Sequence, residues 1–365
     1  MKTIHTTHFG KSQNLNKIKD NSVDLIVTSP PYPMIEMWDG IMAGQNPKIQ
    51  DAFDSNTPNL AFELMHKELD KVWKECYRVM KDGAFLCINI GDATRTIDGN
   101  FALYNNHSRI VSYCLSIGLT NLTNIIWRKQ TNAPNKFMGS GMLPCGAYVT
   151  LEHEHILIFR KGGKRDYKSA DSKANRRESS FFWEERNVWF SDLWDLKGTK
   201  QKLTNSVSRD RSAAYPFEVP YRLINMYSQV GDVVLDPFMG TGTTAQAAIL
   251  LGRNSIGYEI DKTFSTLIED SIESLQVTDL NNLIKSRYEK HLAFVTERTS
   301  THGALKHTNN HLKCDVMTSQ ESDIKLHYLT SISKSDSSAL IYEVEYEDMS
   351  DMNQMPSIVN EGCLF

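Results

Sequence analysis

The stretch DVVLDPFMGTGTTAQAAILLGRNSIGYEID, residues 232–261, constrains the chain most. It reads as a buried apolar strand, a turn holding Gly240 and Gly242, a helix opening at Thr243, and a second strand ending in Glu259. A strand, a crossover helix and another strand make a unit of parallel sheet, and parallel sheets need helices on both faces. The rest of the chain supplies them. LAFELMHKELDKVWKECYRVMKDG, 60–83, has apolar residues at helical spacing (Leu64, Leu69, Val72, Trp73, Cys76, Val79, Met80) and is expected to close at Asp82-Gly83. HSRIVSYCLSIGL, VPYRLINMYSQVGD and KTFSTLIEDSIESL are further predicted helices. KTIHTT, VDLIVT, AFLCINIGD, NLTNIIWRK and HEHILIFRKG are predicted strands, the last two paired across a glycine-rich loop. The predicted fold is α/β, with a mostly parallel, doubly wound sheet. Residues 34–59 show no period and read as a loop. There is no internal repeat.

In 365 residues there is room for one large α/β domain with an accessory piece, or for two domains. No apolar run reaches the ~18 residues of a membrane span, and MKTIHTTHFGK has no signal-like apolar stretch, so a cytoplasmic protein without membrane contact is expected. Of six cysteines none forms a C-x-x-C pair, so reduced thiols are expected and a structural zinc site is not. Charge is uneven. Residues 160–211 carry 14 Lys and Arg against 8 Asp and Glu, a net of +6, and residues 297–365 carry 5 against 11, a net of −6. The basic block is either a polyanion-binding face or an ordinary solvated segment.

The turn after the strand at 232–238 brings backbone N–H groups close to a ligand, and the helix start adds a positive dipole end. Glu259, at the end of the next strand, is placed to accept both hydroxyls of a ribose. A nucleoside-containing ligand is therefore expected. G-T-G-T-T-A lacks the third glycine of the dinucleotide fingerprint, though Ala245 could serve there, and no G-K-[ST] follows to make a phosphate loop.

A second feature is TSPPYP, residues 28–33, where two prolines halt the strand VDLIVT at Ser29. Together, DPFMGTGTT and TSPPY resemble the amino-methylating DNA methyltransferases that use S-adenosylmethionine. In that family an F-x-G-x-G turn binds the methyl donor, and a [D/N/S]-P-P-[Y/F/W] motif holds the target amino group. The catalytic motif precedes the donor motif by about 200 residues, which resembles the circularly permuted β arrangement of the class I methyltransferase fold. AAYPFEVPYRLI, 213–224, resembles the helix motif before the glycine turn, and the likeness spans roughly 2–275.

The resemblance implies catalytic residues Ser29, Pro30, Pro31 and Tyr32, donor-binding residues Asp236, Phe238, Gly240, Gly242, Thr243 and Glu259, and no metal. It divides the chain into a catalytic half (1–160), an inserted target-recognition region (161–212), a donor-binding half (213–296) and an acidic C-terminal appendage (297–365). Serine as the motif's first letter is typical of methylation at N4 of cytosine, and aspartate of N6 of adenine. The implied activity is methylation of cytosine N4 at a short duplex DNA site, opposite a cognate restriction endonuclease. Adenine N6 methylation, a DNA-binding homologue without catalysis, and an RNA or protein amino methyltransferase remain as alternatives. FGKS at 9–12 departs from relatives that carry an acid there to meet the donor's adenine, so that contact has no expected residue.

Other features suggest different chemistry. Pro144-Cys145 resembles the nucleophile of carbon-5 cytosine methyltransferases, but it lies in a loop, away from the catalytic strand's end. His153-Glu154-His155 puts two histidines on one strand face with no third metal ligand in view, so a structural or DNA-side role is expected. SFFWEERNVWFSDLWDLKG, 180–198, holds six aromatics within the basic block, most of them expected to pack a small core.

Overall fold

A computed structural model of the protein describes residues 1–129, 138–198, 215–336 and 340–349. The first half carries β1 (Lys2–Phe9), β2 (Val23–Thr28), helices α1 (Asp39–Gln45), α2 (Lys48–Asp54) and α3 (Pro58–Val79), β3 (Met80–Ile90), the hairpin β4 (Ala93–Ile97) and β5 (Asn100–Tyr104), α4 (Asn106–Ser116), β6 (Leu119–Asn121), β7 (Ile125–Lys129), the small hairpin β8 (Met138–Gly139) and β9 (Ala147–Tyr148), and β10 (His153–Lys161). Then follow α5 (Ala170–Glu178), α6 (Trp183–Trp189), β11 (Leu193–Leu196), α7 (Glu218–Tyr227), β12 (Val233–Asp236), α8 (Thr243–Leu250), β13 (Asn254–Glu259), α9 (Ser265–Glu273) and α10 (Val277–His302). Last come β14 (His307–Thr308), β15 (Asp315–Val316), β16 (His327–Asp336) and β17 (Ile341–Asp348).

One sheet runs in the order β11, β7, β10, β3, β2, β12, β13, β1, β17, β16, with β6 also on β10. Its centre, β3 to β1, is parallel, as the alternation of strands and helices predicts. Every residue of β2 is buried, which fits an apolar strand covered on both faces. On one face α3 and α4 pack Met65, Trp73 and Ile110 over Ile26, Leu86 and Phe159. On the other, α7 and α8 pack Leu223, Ile224 and Ala247 over Leu25, Val27 and Ile158. β7 and β10 form the expected antiparallel pair.

Three expectations change. The long helix ends at Val79, and Met80 already pairs with Val23, so Asp82-Gly83 lies inside a strand. Gly83, at φ +82°, sits where the β2–β3 register shifts; the glycine marks a bulge, not a helix stop. Residues 34–59 are not merely a loop. They hold α1 and α2, of seven residues each, too short to show a period in sequence. The segment from 297 onward holds β16 and β17, which extend the main sheet beyond β1. Tyr342, Val344 and Tyr346 of β17 are buried while Glu345 and Glu347 are exposed. Part of the acidic composition that reads as an appendage, Glu345 and Glu347, is the solvent face of a strand near the sheet's edge.

The basic segment also has a definite place. β10 runs antiparallel to β3, so it delivers the chain to the edge where the parallel strands begin. There Arg165 pairs with Asp232 and Asp24, at the starts of β12 and β2. α5 is tied to the C-terminal part through Arg177–Asp323 and Lys325–Glu178. Residues 161–190 therefore occupy the edge opposite Ser29, around a groove of about 1120 Å³ lined by Lys81, Lys164, Arg165, Lys173 and Arg176. β11, parallel to β7, then carries the chain back towards the other edge. The remainder of the expected insert, 199–212, lies outside the described residues. Of the aromatics, Phe182, Trp189 and Trp194 are buried, and Trp183 and Phe190 are exposed.

Candidate active site

The site is built at the carboxyl ends of β2, β12 and β13. β2 and β12 are neighbours, and their crossover helices α3 and α8 lie on opposite faces. That is a topological switch point, where open α/β sheets leave a crevice for ligands. Ser29 and Pro30 leave β2 there, and Pro237 to Gly242 leave β12. A direct bond joins the two motifs: Thr28 Oγ1 donates to Asp236 Oδ1 at 2.7 Å.

Asp236 is buried, and both its oxygens are engaged by the protein. Oδ1 also accepts from Phe238 N at 3.0 Å, and Oδ2 accepts from Thr244 Oγ1 at 2.6 Å and Tyr215 Oη at 3.3 Å. Burial pushes its pKa up, against the pull of these donors. In this arrangement Asp236 braces the turn rather than facing the crevice. Gly240, at φ +53°, has open space where a side chain would be, and Gly242 adopts φ +91° at the start of α8. These are conformations glycine takes without strain. Glu259 closes the turn by accepting from Gly240 N through Oε2 at 3.0 Å and from Asp261 N through Oε1 at 2.9 Å. Each oxygen keeps a lone pair for a further donor, and burial raises the pKa of the group. Phe238 packs edge-on against Trp73. Thr243 is the first residue of α8. The open glycine, the helix start and the half-satisfied carboxylate fit the nucleoside of S-adenosylmethionine.

On the other side of the crevice, Tyr32 is 9% exposed and its hydroxyl points inward. It lies 3.1 Å from Ser29 Oγ, 2.8 Å from Asn89 Nδ2 and 2.9 Å from Glu154 Oε2. Asn89 Nδ2 also donates to Glu154 Oε2 at 2.7 Å, and Lys129 pairs with Glu154 Oε1. Burial first, and then the Glu154 carboxylate, push the Tyr32 pKa well above its ordinary value. Gly91 leaves room for the ring: a methyl there would come within 2.9 Å of Tyr32 Cε2.

The sequence leaves Thr28, Asn89, Lys129, Glu154 and Tyr215 out of the site. Thr28 and Tyr215 stand inside the quoted motif stretches without an expected role, Glu154 stands between the two histidines, and only the register of β3, β7 and β10 brings Asn89, Lys129 and Glu154 together. The histidine pair has neighbours the sequence does not reveal. Asp92 accepts from His107 Nδ1 at 2.7 Å and stands 3.9 Å from His155 Nε2. The His107 and His155 rings stack with centroids 4.0 Å apart and planes 22° from parallel. A cation between rings stacked in this way would lie out of both planes, away from the nitrogen lone pairs, so these three side chains, of two ligand types, meet as a hydrogen-bonded stack. Asp92 also accepts from His107 N at the start of α4. Cys145 is exposed in the turn between β8 and β9. Cys76, Cys87, Cys114 and Cys314 are buried free thiols. Among the described residues no helix is long and apolar enough to cross a membrane.

The chain matches the DNA methylase family of N6 and N4 methyltransferases over residues 23–270. It is 48% identical over 363 residues to the Type II methyltransferase M.MthZI of Methanothermobacter thermautotrophicus, covering 99% of this chain and 100% of that one. It is also 48% identical over 281 residues to the Type II methyltransferase M.MjaI of Methanocaldococcus jannaschii, covering 74% of this chain and 91% of the relative. Among solved structures, TTHA0409 of Thermus thermophilus, a putative DNA modification methylase crystallised with S-adenosyl-L-methionine, superposes with a TM-score of 0.55 at 32% identity, covering 73% of this chain and 93% of that one. The cytosine-N4-specific PvuII DNA methyltransferase shares the fold, with a TM-score of 0.51 at 15% identity over 77% of this chain and 92% of that one. With a crevice at the switch point of a mostly parallel sheet, and a family match over residues 23–270, the chain belongs to the S-adenosylmethionine-dependent DNA methylases of the N6/N4 family.

Proposed function

We propose that the protein methylates N4 of cytosine at a short specific site in duplex DNA, as the modification partner of a restriction endonuclease. One observation carries the choice of base: Ser29, not an aspartate, leaves β2 beside the glycine turn. The Type II methyltransferase names of the relatives support the restriction context.

An exocyclic amino nitrogen is a poor nucleophile, because its lone pair is delocalised into the ring. The Ser29 hydroxyl and the Pro30 carbonyl accept its two hydrogens, which drives the nitrogen towards tetrahedral geometry. Pro30 has no N–H to compete, and Pro31 fixes the direction of the carbonyl. The target base is extruded from the duplex, because stacking hides the nitrogen. The Tyr32 ring lies against the extruded base, a stacking contact worth about 1–3 kcal/mol. Glu259 holds the ribose hydroxyls of the donor, while Gly240 and Gly242 let the backbone approach it. S-adenosylmethionine supplies an activated methyl group, and the chain supplies alignment for an in-line displacement.

Digestion of DNA from a host expressing the protein, followed by mass analysis of nucleosides, tests the reading. N4-methylcytosine is expected. N6-methyladenine alone would move the assignment to adenine, and no modified base would leave a DNA-binding homologue.

A further inference from the structure

Tyr32 Oη has three polar neighbours on the protein, and their chemistry fixes the direction of every hydrogen between them. Asn89 Nδ2 donates to it at 2.8 Å. Glu154 Oε2, at 2.9 Å, is a carboxylate oxygen and accepts. The single Tyr32 proton therefore points to Glu154, since the reverse would leave two acceptors facing each other. Ser29 Oγ, at 3.1 Å, must then donate to Tyr32. That leaves the serine with only lone pairs towards the crevice. Glu154 is itself held in place. Lys129 takes its other oxygen, Asn89 adds a bond to the first at 2.7 Å, and the residue is 8% exposed.

We infer that Glu154 is a positioning residue for methyl transfer, setting the polarity of a Glu154–Tyr32–Ser29 hydrogen-bond chain and receiving the proton the reaction releases. The inference rests on Ser29 as the residue that meets the target amino group. With the chain polarised, Ser29 presents an acceptor and no competing proton to the amino hydrogen. After displacement the nitrogen carries the new methyl, both its hydrogens and a positive charge. One N–H bond breaks as its proton passes to Ser29 Oγ. The Ser29 proton passes to Tyr32 Oη, and the Tyr32 proton to Glu154 Oε2. The nitrogen ends neutral, Ser29 and Tyr32 are restored, and Glu154 ends as a carboxylic acid that solvent later deprotonates. The motif at large accepts Phe or Trp in place of Tyr32, so this route belongs to the hydroxyl and the carboxylate of this chain.

The test is single-turnover methyl transfer to unmethylated plasmid DNA carrying the mapped target, with S-adenosylmethionine binding and melting temperature measured in parallel. Glu154→Gln keeps size and removes the obligatory acceptor. It should slow transfer at least tenfold and leave S-adenosylmethionine affinity unchanged. Tyr32→Phe keeps the ring and cuts the chain in the middle, so the double variant should be no slower than Tyr32→Phe alone. Wild-type transfer by Glu154→Gln, or losses that multiply in the double variant, would overturn the inference. If Glu154→Gln does not fold, Tyr32→Phe decides: a tenfold loss supports the chain, and a wild-type rate overturns it. Ser29→Ala separates the two readings. Full activity there removes the assignment of Ser29 itself, whereas an inactive Ser29→Ala beside a fully active Glu154→Gln removes only the role of Glu154.

Discussion

Thr28 and Asp236 lie 208 residues apart in the chain and 2.7 Å apart in space, joined side chain to side chain across β2 and β12. Each is the last residue of its strand, so the bond ties the Ser-Pro-Pro-Tyr motif to the glycine turn at the point where both leave the sheet. Thr28→Val keeps the shape and removes the donor. A hydrogen bond to a buried charged group is worth about 1.5–3 kcal/mol, so urea unfolding should shift by that amount. S-adenosylmethionine affinity should fall with it, because Asp236 also orients Phe238 N and Thr244. An unchanged midpoint and affinity would show that the remaining donors hold Asp236 alone.

Two glycines separate the two halves of the crevice. A methyl at Gly91 would press on the Tyr32 ring and Glu154 Cγ, whereas one at Gly257 would overlap the side chain of Met239 in the glycine turn. Gly91→Ala should lower the transfer rate at least tenfold with near-normal S-adenosylmethionine binding. Gly257→Ala should weaken S-adenosylmethionine binding and leave DNA affinity unchanged. The same defect in both variants would mean that the halves do not respond separately.

His291 is buried between Glu184, 2.8 Å from Nδ1, and the Asp315 carbonyl, 3.0 Å from Nε2. Both neighbours accept, so both ring nitrogens carry hydrogen and the imidazole is charged. Burial opposes that charge, but Cys314 and Glu184 outweigh it and raise the pKa to about 10. A raised pKa contributes stability that is complete below the unfolded value near 6.5 and is lost as pH climbs through about 10. The melting temperature should therefore decline between pH 7 and 10, and more steeply in the wild type than in His291→Gln. Parallel slopes would place the decline on other groups.

The groove around Lys164 and Lys173 lies at the edge where the parallel strands begin, opposite Ser29. Lys164→Glu with Lys173→Glu should leave the methylated sequence unchanged and the transfer rate at saturating DNA within about twofold. A change of target sequence would put base reading on this edge.

The unit around Gly240 and the strand ending at Ser29 are legible in the sequence because local chemistry defines them: glycines that turn, prolines that stop, apolar runs that need cover. Glu154 is not. Its alternation within HEHILI tells which residues share its face, but not that Asn89 and Tyr32 wait opposite, because that depends on how β10 registers with β3. The placement of 161–190 is hidden for a similar reason. A basic, aromatic segment reads as a nucleic-acid surface wherever it sits, and only the antiparallel run of β10 sends it to the far edge. Asp236 looks like a ligand residue by position, yet its four donors all come from the protein.

β10 alternates two kinds of residue with a period of two. Glu154 shares its face with Ile156 and Ile158, and His155 shares the other with Leu157 and Phe159. A slip of one residue against β3 would exchange these sets and place an imidazole where the carboxylate meets Tyr32. The apolar half of the strand, locked in two different cores, prevents the slip. The phase of Glu154 is therefore set by the apolar residues of its own strand, and the β8–β9 hairpin that precedes β10 has no part in keeping it.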